Sequence, residues 1–296
     1  MFTKFLVIYF GLSNIFNNSQ YIIDHNKKED ISYLLEENQY INNTYINETN
    51  INTQNGIIPN YNTLDNLDIL TNEAPLKIDW RDDNIISSVK NQEKCGSCWS
   101  FSSAEATEGI WAKKHNNLYN LSEQELIDCS NSYGNNGCSG GSMLNAYKYI
   151  INNGLCTTES YPYTGTDKNI CKNTTCNKVA KIDNYKSIIS TEKQLEKAVA
   201  LQPVSVAIEA DKRSFQLYKS GIYNDINCGQ KLDHGVLLVG YGYDFLFNMK
   251  YWIVKNSWGE KWGENGYIRI QKDSGIDGGM CGIALQASAP VIYLNN

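Results

Sequence analysis

Gln92-Glu93-Lys94-Cys95-Gly96-Ser97-Cys98-Trp99-Ser100-Phe101 sets two cysteines three positions apart, a spacing shared by zinc sites, redox pairs and nucleophiles. A structural zinc site needs four ligands, usually as two close pairs. Cys95 and Cys98 form the only C-x-x-C in the chain, and the other cysteines are scattered. A redox pair of this spacing belongs in a βαβ setting, and none is visible around it. The nucleophile reading fits better, because a cysteine at a helix N-terminus feels the positive end of the macrodipole, which favours the thiolate. A helix is expected from Ser97 or Cys98 to about Lys114, its Ser102, Ser103, Ala104 and Ala106 permitting close packing.

A thiolate nucleophile needs a base within reach and a third group to orient that base. There are three histidines. His25 stands in an asparagine-rich stretch and His115 in the polar run KKHNN, so both read as solvated surface residues. His234 opens a strand in LDHGVLLVGYG and is the candidate base. Farther along, Lys255-Asn256-Ser257-Trp258-Gly259 offers the Asn256 amide oxygen as orienting acceptor and Trp258 as a shield against water.

Composition bounds what such a site serves. The chain has 296 residues, 42 % hydrophobic and 20 % charged, as in soluble globular proteins. A net charge of −6 gives no ground for nucleic acid or an anionic membrane as partner. Nine cysteines in a chain of extracellular type suggest four bridges and one thiol kept for other work. Met1 to Lys4 followed by the apolar Phe5 to Leu12 reads as a secretory signal ending near residue 13, which points to a secreted or lysosome- or vacuole-like location. No later run is long enough for a transmembrane helix.

Residues 14–73 are rich in asparagine and hold no Cys or Trp. Sequons open at Asn17, Asn42 and Asn47, and later at Asn120 and Asn173, acceptors only in a secretory pathway. Spaced apolar residues from Ile31 to Ile46 suggest a helix, and the region reads as a pro-segment. From residue 74 to 296 the chain reads as one globular unit. Ser122 and Glu125 make a capping box ahead of a second helix. Strand patterns come late, at Val204–Ile208, Gly235–Tyr241, Lys250–Lys255 and Gly266–Ile270. Helices followed by strands argue for an α+β fold in two halves.

QEKCGSCWSF, CSGG (Cys138 to Gly141), LDHGVLLVGYG and YWIVKNSWGEKWGENGY together resemble the four hallmark blocks of the papain family of cysteine proteases, in its cathepsin L-like subgroup. The resemblance covers about Pro75 to Pro290. It implies a two-lobed fold, a helical left half and a β-barrel-like right half with the active-site cleft between them. It implies Cys98 as nucleophile, His234 as base and then acid, Asn256 as orienter, and Gln92 with the Cys98 backbone N–H as oxyanion hole. The resemblance also implies the bridges Cys95–Cys138, Cys129–Cys171 and Cys228–Cys281, with Cys156 and Cys176 as a fourth like that of the falcipains. It places substrate along Gly96, Gly141, Asp233 and Trp258. Met143, Ala207, Leu232 and Gln286 would line the pocket for the second residue before the cut, whose apolar walls suit Leu, Val or Phe. Cys129 and Cys138 leave no room for an occluding loop, so the expected activity is that of an endopeptidase made as a zymogen. No metal or cofactor is expected. Expected partners are protein or peptide substrates, the chain's own pro-segment as inhibitor and cystatin-like inhibitors, with the enzyme a monomer. YLLEENQYINNTYIN only partly echoes the family's pro-segment pattern, so that segment looks shortened. The mature enzyme should begin near Ala74 or Pro75. The rival reading is a catalytically silent binding protein on the same scaffold.

Overall fold

Eighteen residues, Cys98–His115, form the buried axial helix of the protein, α2. The structure is a computed structural model and describes residues 18, 20–28, 32–36 and 74–293. Small residues let α2 lie between both halves. Its buried hydroxyls turn inward onto its own carbonyls, as Ser103 Oγ does on Trp99 O (2.8 Å) and Thr107 Oγ1 on Ser103 O (2.8 Å). Ser102 instead donates to Val236 O at 2.8 Å, tying the helix to the sheet. These three hydroxyls are thereby satisfied and do not oppose close packing.

On one side α2 packs with α3 (Glu123–Cys129) and α4 (Met143–Asn153) around a cluster holding Trp99, Leu126, Met143, Tyr147 and Ile150. Ser122 caps α3, accepting from Glu125 N at 3.0 Å. Only half of the expected capping box forms. The Glu125 carboxylate turns away from the Ser122 backbone, accepting from Cys156 N (2.9 Å) and Tyr149 Oη (2.7 Å) and pairing with Lys178. A short two-stranded sheet, β3 (Leu155–Cys156) with β4 (Lys178–Ala180), closes this half.

On the other side lies a mixed nine-stranded sheet. Its order is β1 (Tyr33–Leu35), β7 (Tyr218–Tyr223), β10 (Tyr267–Lys272), β9 (Met249–Lys255), β8 (His234–Asp244), β6 (Val204–Ile208), β11 (Gln286–Val291) and β5 (Asn184–Ile188), with β2 (Ile78–Asp79) pairing β8 as well. β7 and β10 run parallel and the other pairs antiparallel. Valine, isoleucine and aromatic residues fill its core, supported by α5 (Glu192–Val199) and α6 (Arg213–Gln216).

Two expectations for the upstream region are corrected. A helix over Ile31–Ile46 is contradicted at Tyr33–Leu35, which is strand β1 on the edge of β7; residues 37–46 lie outside the described residues. Strand wins there because Tyr33 and Leu35, two apart, bury one face against the large core while Leu34 faces out. His25 is not a solvated residue. It belongs to a short helix, α1 (residues 20–26), is 8 % exposed, and its Nε2 lies 3.2 Å from Tyr33 O. His115 is exposed, its ring 4.1 Å from that of Trp111. The expected signal segment lies outside the described residues.

Candidate active site

Cys98 is the first residue of α2 and is 1 % exposed. The Ser97 cap makes no side-chain hydrogen bond and the first turn holds no acidic residue, so no carboxylate dilutes the positive helix end at the thiol. The other eight cysteines form the bridges Cys95–Cys138, Cys129–Cys171, Cys156–Cys176 and Cys228–Cys281. The first of them fastens the loop that leads into the helix.

His234 opens β8, whose next residue lies against the first turn of α2. A Cβ on Gly235 would come within 3.3 Å of the Cys98 carbonyl oxygen, so the glycine allows the strand its close approach. The His234 Nε2 lies 2.8 Å from Asn256 Oδ1. That oxygen also accepts from Ser257 N at 2.8 Å, which fixes it as the acceptor end of the carboxamide. The imidazole therefore carries its proton on Nε2 and presents Nδ1 as the basic atom. Trp258 covers this pair, its ring 4.9 Å from the imidazole and itself 5 % exposed. Burial pulls His234 down to about 4, with the Asn256 hydrogen bond pushing upward. Near neutral pH burial therefore favours the neutral imidazole, and an anion beside it would favour the charged form.

Gln92 is held from three sides. Its Oε1 accepts from Ser257 Oγ at 2.7 Å, its Nε2 donates to Cys95 O at 3.0 Å, and its backbone N donates to Ser257 O at 2.8 Å. A carboxamide has two N–H bonds, so one remains for a ligand. Gly96 N donates to Cys138 O at 3.0 Å, beside the bridge that joins Cys138 to Cys95. Gly141 must be glycine, since a Cβ there would lie 2.6 Å from the Trp99 ring.

Met143 and Ala207 are buried in one cluster with Leu232 packed against it, and Gln286 stands opposite Ala207 in the β11–β6 pairing. Gln286 Oε1 is buried with no hydrogen-bond partner among the described residues. Asp233 Oδ1 accepts from Ala210 N at 2.8 Å, and burial, then Asp211 and Glu209, push its carboxyl up to about 7. Sequence reasoning missed Ser257, which locks both Gln92 and Asn256, although it stands inside the quoted KNSWG. It also missed Tyr163, whose hydroxyl donates to Gln92 O at 2.6 Å and which no sequence signal marks.

The family model described as papain family cysteine protease matches residues 74–291. The chain belongs to the papain family. It is 49 % identical over 233 residues to the cysteine endopeptidase Rep1 of Oryza sativa, covering 76 % of this chain and 60 % of that protein. Against cathepsin L2 of Homo sapiens it is 49 % identical over 224 residues, covering 74 % and 66 %. Its fold superposes on the proform of the ragweed pollen cysteine protease Amb a 11 with TM-score 0.86 at 36 % identity, covering 95 % of this chain and 79 % of that one. The chain spans about half to two thirds of the length of such curated papain-family relatives. No helix among the described residues is long and apolar enough to cross a membrane.

Proposed function

We propose that the protein is a cysteine endopeptidase made as a zymogen. This reading is carried by Cys98 at a carboxylate-free helix N-terminus against which Gly235 of β8 packs closely, and by the imidazole that opens that same strand, whose protonated nitrogen is fixed by Asn256. His234 Nδ1 takes the Cys98 proton, and the resulting ion pair offsets the burial that otherwise keeps the imidazole neutral. The thiolate attacks the scissile carbonyl. The second Gln92 N–H and the Cys98 backbone N–H receive the oxyanion, each such donor contributing about 3 kcal/mol to the transition state. His234 then protonates the leaving amine, and water completes hydrolysis of the acyl-enzyme.

Gly96, Gly141, Asp233 and Trp258 border the bound peptide in this reading. Met143, Ala207 and Leu232 favour Leu, Val or Phe at the second position before the cut, with Gln286 at the floor. No carboxylate stands among these four to select a basic side chain. Residues 14–73 act as the pro-segment, and the mature unit begins near Ala74 or Pro75. The similarity of the fold to a proform supports this division. Cystatin-like inhibitors, a monomeric state and a secreted or lysosome-like location belong to the same reading.

An active-site thiol probe tests it. Activated protein should be labelled at Cys98 and hydrolyse peptides with Leu, Val or Phe before the cut residue, and His234→Ala should abolish both. Absence of labelling in folded, pro-segment-free protein would favour the silent binding protein, and a substrate library cleaved at Arg far above Leu would overturn the pocket assignment.

A further inference from the structure

Beneath the site runs a chain of buried charges that the proposed chemistry does not use. The carboxylates Glu105, Glu108 and Glu123 are each no more than 3 % exposed, as is Lys255, while the Lys90 side chain is partly buried at 13 % exposure. Lys90 Nζ reaches Glu123 Oε1 at 2.5 Å and Glu108 Oε1 at 2.6 Å. Glu108 Oε2 accepts from Ser87 Oγ at 2.5 Å. Ser87 Oγ in turn accepts from Lys255 Nζ at 3.0 Å, and Lys255 Nζ lies 2.9 Å from Glu105 Oε1. The path is continuous from the N-terminus of α3 to the end of β9, crossing from the helical half to the sheet half.

Its attachment points are telling. Lys90 stands two residues before Gln92, and Lys255 immediately before Asn256. The two loops are laced together by Gly259 N donating to Lys90 O (3.0 Å) and by the Asn91–Trp258 bridge. Glu105 and Glu108 lie two and three turns along α2 from Cys98, roughly 10 and 15 Å by the helical rise. One buried network thus clamps the loop of the oxyanion donor and the loop of the imidazole orienter to the helix of the nucleophile. Buried ion pairs are a poor source of stability but an effective source of registry.

We propose that Glu105 with Lys255, and Glu108 with Lys90, are positioning residues that set Gln92 and Asn256 against Cys98. They touch no substrate. The inference rests on the peptidase reading above. A misplacement of about 1 Å in such a constellation costs on the order of a hundredfold in rate.

The test compares activated wild-type protein with Glu105→Leu/Lys255→Met, which replaces the pair by apolar residues of similar size, and with Glu105→Asp, which keeps the charge and shortens the arm. Four quantities are read: kcat and KM on a peptide substrate, affinity for a peptide aldehyde that forms an oxyanion, and Tm. Both variants should hold Tm and KM near wild type. In the double variant kcat and aldehyde affinity should fall together by about 10- to 100-fold, with a smaller parallel fall in Glu105→Asp. Wild-type kcat and aldehyde affinity in the folded variants, or losses that follow Tm alone, would overturn the proposal. Should the double variant not fold, Glu105→Asp decides by the same criterion. Failure of wild-type Cys98 to react with a thiol probe would instead strike the peptidase reading.

Discussion

Asn256 Oδ1 accepts two hydrogen bonds, and by doing so decides which nitrogen of His234 is left as the basic one. Its bond also opposes the burial that lowers the imidazole. Removing it with Asn256→Ala should lower the His234 pKa further, so the proposed ion pair with Cys98 loses its proton at lower pH. The alkaline limb of Cys98 alkylation should therefore move to lower pH, with kcat/KM reduced about tenfold or more; an unmoved limb in a pH-rate profile would refute this. Gln92→Ala deletes one proposed oxyanion donor and should cut kcat by about 100-fold while leaving the alkylation profile in place. The candidate nucleophile, base and orienter were legible as residue types, because a helix-start cysteine and a strand-start histidine carry local patterns. Ser257 was not legible, since a serine next to an asparagine is ordinary until its hydroxyl is seen on Gln92.

At the scale of an element, β1 on β7 shows how the upstream segment is held. Ser32 Oγ donates to Ile222 O (2.6 Å), Asn26 bonds both Leu35 N (3.0 Å) and Leu35 O (2.9 Å), and the ring of Tyr33 lies 4.8 Å from that of Tyr223. Gly221, at φ 95°, faces the strand, and a Cβ there would stand 2.1 Å from Ser32 O. Tyr33→Ala should weaken docking by about 3 kcal/mol and leave the unit from residue 74 onward untouched, read as the affinity of a synthetic 20–36 peptide for protein comprising residues 74–296. His25 makes the docking pH-dependent. Burial holds it below its ordinary 6.5 and Lys28 adds to this, while the Tyr33 carbonyl and Asp225 push back. The docked state therefore binds fewer protons than the undocked one. Docking is at full strength above pH 6.5 and weakens as pH falls from there toward the lowered value. His25→Gln should flatten that slope, and an unchanged pH dependence of peptide affinity would exclude the histidine. The strand escaped sequence reasoning because three residues give no periodicity, and their partner lies far along the chain.

The whole molecule is two halves joined by α2 and by the buried network at its flank. Burial, against the pull of Lys90, raises Glu123 to about 7, while Glu108 beside the same lysine is lowered. A carboxyl raised in the folded state costs stability as pH climbs from its ordinary 4.5 to about 7. Glu123→Gln in an inactive Cys98→Ala background should thus match its parent in acid and gain Tm above pH 7; equal Tm values at pH 8 would refute it. The Cys156–Cys176 bridge closes a separation of 20 residues, and replacing both with serine should cost about 3 kcal/mol in denaturant unfolding.

By itself the sequence determined the α+β division, four of the sheet's strands, the axial helix and the papain-family blocks. Each of these is written in local pattern: β-branched runs, small residues at helical spacing, a helix-start cysteine. Only the tertiary structure decided that His25 is buried, that β1 adds to the sheet, and that five charged side chains scattered along the chain form one buried network. Burial and pairing of this kind depend on which surfaces meet, and a chain does not record locally what its distant segments will cover.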